Sequence, residues 1–92
     1  MLVRILLADD DPALRRVLQF KLRKQGFEVT AVEDGAKALE SLKESSFDLL
    51  LSDMKMPGLT GIELLEQSKK VRPELEVILM TAYAEVSQAV QA

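Results

Sequence analysis

Cysteine and histidine are both absent from this 92-residue chain. Without cysteine there can be no disulfide, thiolate zinc site or thiol nucleophile, and without histidine no imidazole-based triad and no imidazole metal ligand. Chemistry is left to Asp, Glu, Lys, Ser, Thr and Tyr. A basic run is lacking too: 12 Lys and Arg are scattered among 15 Asp and Glu, giving a net charge of −3. That distribution offers no electrostatic footprint for nucleic acid or an anionic membrane. The longest apolar run near the N-terminus, Ile5-Leu6-Leu7-Ala8, is too short for a membrane span or a signal peptide and leads straight into three aspartates. Linkers, low-complexity segments and internal repeats are missing as well. The expectation is one soluble, cytoplasmic domain with no direct nucleic-acid or membrane contact. A domain this small buries only about 60–65% of the surface its unfolded chain exposes.

What is present is a regular alternation of two kinds of segment. Leu2 to Ala8 is almost unbroken apolar sequence that stops at Asp9, as a strand buried on both faces would. Asp11-Pro12 supplies an N-cap and a first-turn proline for a helix whose stripe is Leu14, Val17, Leu18 and Leu22, ended by Gly26. Phe27 to Val32 reads as a second strand. A second helix starts near Gly35 with Ala36, Leu39 and Leu42 as its apolar face. Phe47 to Ser52 repeats the buried-strand pattern and again ends on an aspartate, Asp53. A turn-rich stretch from Met54 to Thr60 leads to a third helix, with Ile62, Leu65, Ser68 and Val71 turned inward. Pro73 follows, then a fourth strand, Val77 to Met80, ending at Thr81, and a last helix from Ala84 with Val86, Ala89 and Val90 on one face.

Strands alternating with helices imply right-handed crossovers and a parallel sheet covered on both sides. Ligands of such sheets bind at the C-terminal ends of the strands, where strand order reverses. Those ends carry Asp9 and Asp10 after the first strand, Asp53 after the third and Thr81 after the fourth. If the first and third strands are neighbours, about 4.8 Å apart, their carboxylates share one small volume. Three such groups either keep a proton or recruit a cation. All-oxygen ligands completed by water or phosphate favour Mg²⁺ over a Ca²⁺ cage. A carboxylate beside Mg²⁺ can act as the nucleophile of phosphoryl transfer, with the Thr81 hydroxyl donating to a phosphoryl oxygen.

The Asp9-Asp10 pair, Asp53 followed by Met56-Pro57 and Gly61, the Asp34-Gly35-Ala36 entry to the second helix and Thr81-Ala82 together resemble the response-regulator receiver domain of two-component signalling, from Ile5 to the last residue. The resemblance implies an α/β, flavodoxin-like, doubly wound parallel sheet of order 2-1-3-4. It implies Asp53 as the phosphoacceptor for a sensor histidine kinase and Mg²⁺ held by Asp10, Asp53, the Lys55 carbonyl and, through water, Asp9. It makes Thr81 the phosphoryl switch and Lys55 and Tyr83 the residues that tune phosphate lifetime. Such a domain assists its own phosphorylation but turns over no external substrate, so it is not expected to be an enzyme. The segment Met80 to Ala84 is similar to receivers fused to enhancer-binding transcription activators.

Each residue alone also has a structural role: Asp11 as a helix cap, Asp53 as a turn former, Thr81 as a strand end, Tyr83 as a packing residue, Lys55 as a solvated loop charge and Met56-Pro57-Gly58 as the shaping of the loop over the site. The family pattern continues into a fifth strand, whose exit carries a lysine that contacts the phosphoryl group, and a fifth helix; residues 1–92 therefore read as a truncated receiver domain. Lys69 and Lys70, on the third helix, are too remote to replace that lysine. An open fourth-strand edge and an uncovered sheet face predict a homo-oligomer, or a second polypeptide completing the sheet. One alternative is a receiver fragment that folds by self-association and no longer signals. A phosphatase of the haloacid dehalogenase type would need an aspartate where Lys55 stands, and neither a GxGxxG nor a P-loop follows the first strand.

Overall fold

The computed structural model of the chain describes residues 2–80. These form β1 (Arg4–Ala8), α1 (Pro12–Lys24), β2 (Glu28–Val32), α2 (Gly35–Glu44), β3 (Leu49–Asp53), α3 (Gly61–Val71) and β4 (Glu76–Met80). All pairings are parallel and the strand order is β2-β1-β3-β4. β1 is therefore internal, which is why its last four residues, Ile5 to Ala8, are essentially without solvent exposure. Alternation along β1 sends Leu6 and Ala8 into one core, with Ala38, Leu42, Leu50 and Leu64. Ile5 and Leu7 enter the other, with Val29 and the half-buried Leu18 and Leu22 of α1.

Local chemistry sets the helix boundaries. The Asp11 carboxylate accepts from the amides of Ala13 and Leu14 at 3.0 and 3.3 Å, and Pro12 occupies the first turn. Lys21, Arg23 and Lys24 lie in the last turn of α1, where they complement the negative end of the helix dipole. Gly26 follows with φ +97°, a conformation glycine adopts without strain. Asp34 caps α2 by accepting from the Lys37 amide at 2.8 Å. α3 opens on a reciprocal capping box: the Glu63 amide donates to the Thr60 hydroxyl at 3.2 Å, and the Thr60 amide donates to the Glu63 carboxylate at 3.0 Å.

The helix faces differ from the sequence pattern in three places. On α1, Leu18 and Leu22 pack while Leu14 and Val17 are 44% and 49% exposed, because the stripe is narrower than four apolar positions suggest. On α2 the buried residues are Gly35, Ala38 and Leu42, and Ala36 faces solvent. On α3 the buried stripe is Gly61, Leu64 and Ser68, so Ile62 turns outward at 45% exposure and Leu65 is only half-buried. The close seat of Gly61 on the backbone of β3 fixes this phase, rotating Leu64 inward three residues later.

At the end of the sheet remote from the β1 and β3 exits, Arg4 ties the start of β1 to the segment that leads into β3. Its amide donates to the Asp48 carboxylate at 2.8 Å and its guanidinium to the Ser46 carbonyl at 2.6 Å, while the guanidinium also lies 4.9 Å from the centre of the Phe47 ring. Arg72, just past α3, donates to the Leu42 carbonyl at 3.1 Å and so joins the last turn of α2 to the end of α3. Among the described residues no helix is long and apolar enough to cross a membrane. The helix expected from Ala84 lies outside the described residues.

Candidate metal centre at the strand exits

β1 and β3 pair in register up to Ala8 opposite Ser52. Asp9 and Asp53 are each the next residue along their strands, so the two carboxylates leave the sheet side by side and Asp10 follows at once. One carboxylate oxygen from each of Asp9, Asp10 and Asp53 lies within 4.8 Å of the others. The three form a gradient: Asp9 is wholly buried, Asp53 half-buried and Asp10 exposed. A cation held there would be reached from inside and outside at once.

Asp9 is the most constrained of the three. Its amide donates to the Val32 carbonyl at 3.2 Å, extending the β1–β2 pairing by one bond. Its own carbonyl accepts from the Arg15 guanidinium at 2.8 Å. One carboxylate oxygen, Oδ1, accepts from the Asp11 amide at 2.9 Å, whereas Oδ2 is buried with no partner among the described residues. Burial pushes the Asp9 carboxyl above its ordinary value, against the Asp11 amide bond that lowers it, and the charges of Asp53, Asp10 and Asp11 push it further up. Two like unit charges about 5 Å apart repel by roughly 3 kcal/mol at an effective dielectric near 20, well above thermal energy. An orphaned buried oxygen within a cluster of hard anionic ligands is the donor set that suits a small divalent cation.

Asp53 is held from behind. Its Oδ1 accepts from the Lys55 amide at 3.3 Å and its carbonyl accepts from the buried Ser52 hydroxyl at 2.9 Å. The chain then leaves β3 through Met54, whose amide donates to the Met80 carbonyl at 3.1 Å and whose carbonyl accepts from the Gly61 amide at 2.9 Å. The stretch from Met54 to Gly61 is thus a closed loop beside Asp53. Met56 anchors it, 6% exposed within the α2/α3 core.

Of the residues singled out from sequence, Asp9, Asp10 and Asp53 come together and Lys55 lies beside Asp53. Thr81 and Tyr83 lie outside the described residues. Asp11 caps α1 rather than joining the cluster, and Lys69 sits at the far end of α3, where its ammonium donates to the Leu75 carbonyl. The sequence reading missed Arg15, Ser52 and the seat of Gly61. Only the last left a sequence signal: the Thr60–Glu63 spacing places a helix start immediately before Gly61.

Comparison with known proteins follows this geometry closely. Residues 5–92 match the family model described as the response regulator receiver domain. Over 84 residues the chain is 44% identical to the response regulator receiver protein CpdR of Brucella abortus, covering 91% of this chain and 70% of CpdR. It is 45% identical to the DNA-binding transcriptional regulator NtrC of Escherichia coli, covering 91% of this chain but only 18% of NtrC. Among solved structures it is similar to the response regulator TrrA of Thermotoga maritima in complex with Mg²⁺-BeF, at TM-score 0.87 and 33% identity over 95% of this chain and 76% of that one. TrrA in complex with the histidine kinase ThkA matches at TM-score 0.83 and 35% identity, over 90% of this chain and 72% of that one.

Proposed function

This chain belongs to the response regulator receiver domain family, and from that premise we propose that Asp53 accepts a phosphoryl group from the phosphohistidine of a sensor kinase. The observation that carries this reading is the convergence of three carboxylate oxygens within 4.8 Å, one residue of the three wholly buried with an oxygen lacking a partner. Asp9, Asp10 and Asp53 are the side chains that would hold Mg²⁺, with the Lys55 carbonyl beside them. Mg²⁺, when bound, neutralises charge on the phosphoryl oxygens and on the cluster itself.

The chain's own residues supply position. The Lys55 amide holds one oxygen of Asp53, leaving the other as the nucleophile. That oxygen forms the new O–P bond, the N–P bond of the phosphohistidine breaks, and its electron pair returns to the imidazole nitrogen. Thr81 donates its hydroxyl to the transferred group, and Lys55 and Tyr83 govern how soon water removes it. The protein assists this single transfer and its reversal by water without turning over an external substrate. The likeness to NtrC and to ThkA-bound TrrA supports a cytoplasmic signalling role with a histidine kinase as partner and transcription as one form of output.

Mg²⁺ calorimetry and mass spectrometry after incubation with a phosphorylated histidine kinase or acetyl phosphate test the reading. The wild type should bind Mg²⁺ and gain one phosphoryl group. Asp53→Asn should lose the gain, and Asp10→Ala should weaken the metal. Modification surviving Asp53→Asn overturns the assignment, and a wild type that binds Mg²⁺ but takes no phosphoryl group is a receiver fragment that no longer signals.

A further inference from the structure

The loop carrying Lys55 is pinned at its two ends and leans on a third point. Its ends are closed by the Gly61 amide on the Met54 carbonyl and by the Met54 amide on the Met80 carbonyl, and Gly58, at φ +78°, leaves a turn between Met56 and the helix. The third point is α2. Leu59 rests on Gly35, the first residue of that helix, so closely that a Cβ at Gly35 would stand 2.8 Å from Leu59 Cβ, 2.9 Å from Cδ2 and 3.2 Å from Cγ. Gly35 is buried and outside the left-handed region, so its glycine serves space and not backbone conformation.

We propose that Gly35 is a positioning residue for the metal centre: through Leu59, the first turn of α2 sets how far the loop closes over the strand exits and thereby where the Lys55 backbone lies. This rests on the reading of the three aspartates and Lys55 as the metal's ligands. The magnitudes favour it. Carbon atoms pack at about 3.5–4.0 Å, so a methyl group at Gly35 displaces Leu59 by roughly 1 Å. The nearest contact is to Cβ, which no rotamer change can withdraw, so relief requires backbone movement of the loop against the first turn of α2. Ligand distances around a metal hold within about 0.2 Å. A small fraction of that displacement, carried four residues to Lys55, is enough to disturb the shell.

The experiment is a calorimetric Mg²⁺ titration of the wild type, Gly35→Ala and Leu59→Ala, with ¹⁵N–¹H spectra of the metal-free proteins and thermal melts. Leu59→Ala introduces no clash and keeps the idea testable if Gly35→Ala does not fold. Both variants should bind Mg²⁺ roughly tenfold more weakly at a temperature where they are fully folded, as happens when groups supporting metal ligands are altered. Both should also shift the Lys55 and Gly61 amide signals before metal is added. Lower melting temperatures with unchanged Mg²⁺ affinity, or spectral shifts confined to the first turn of α2, overturn the proposal and leave the phosphoacceptor reading intact. A wild type that binds no Mg²⁺ overturns both.

Discussion

A Cβ placed on Gly61 would stand 2.6 Å from the carbonyl oxygen of Asp53 and 2.7 Å from the Cα of Met54. Both are backbone atoms, so neither can swing aside. The helix that follows the site is therefore pressed directly on the strand end that bears the carboxylate. Gly61→Ala is expected to destabilise the fold by about 1–3 kcal/mol, the range for overpacking a tight contact, and to lower Mg²⁺ affinity as Asp53 is pushed out of line. Urea unfolding beside Mg²⁺ titration checks both effects; an unchanged midpoint would refute the close seat of α3.

The buried Asp9 carboxyl gives the metal-free protein a pH dependence with a definite sign. Its folded value is raised above the ordinary 3.8. Between those two values the folded state binds more protons than the unfolded one, so stability is present below 3.8 and is lost as pH rises through the raised value. Asp9→Asn removes that loss. The variant should therefore melt higher than the wild type in the metal-free state at neutral pH, while binding Mg²⁺ more weakly. Melts at pH 4 and pH 7, with and without Mg²⁺, should show the wild type gaining from the ion at pH 7 and the variant gaining little.

The phase of α3 is open to a paired substitution. Leu64 is wholly buried and Ile62 is 45% exposed. Leu64→Ala should destabilise by about 2–5 kcal/mol through the cavity it leaves, and Ile62→Ala by no more than about 0.5 kcal/mol. A larger loss for Ile62→Ala than for Leu64→Ala in denaturant unfolding would put the helix in the other phase.

At the opposite end of the sheet, Asp48→Ala strips the acceptor from the Arg4 amide, a bond spanning 44 residues of sequence. The group is exposed, so a loss of about 1 kcal/mol is expected. Mg²⁺ affinity should not change, because the clamp and the metal centre lie at opposite ends of β1. A matching loss of metal affinity would contradict that separation.

Much of this arrangement could be read from the chain because its determinants are local. Strand ends at Asp9 and Asp53 and caps at Asp11 and Asp34 are decided by a residue and its immediate neighbours, and β1 carries its burial in an unbroken apolar run. What could not be read depends on distant partners. Ile62, Leu64 and Leu65 are all apolar, so the pattern alone fits two helix phases; the contact of Gly61 with β3 chooses between them. Leu14 and Val17 look like core because nothing in their own segment says which part of α1 the sheet reaches. The Leu59–Gly35 contact joins residues from two separate crossovers and leaves no local trace at all.

The pairing of Ala8 with Ser52 has a consequence for refolding as well as for chemistry. Because strand side chains alternate with period two, a slip of one residue between β1 and β3 would carry Asp53 about 3.3 Å along the strand and turn it to the opposite face from Asp9. Such a misaligned ladder could still bury leucines, since Leu49, Leu50 and Leu51 offer one to either face. It could not assemble the carboxylates. Uptake of a divalent ion thus distinguishes the native alignment from one slipped by a residue, and an ion titration on refolded protein becomes a check on strand alignment that circular dichroism cannot provide.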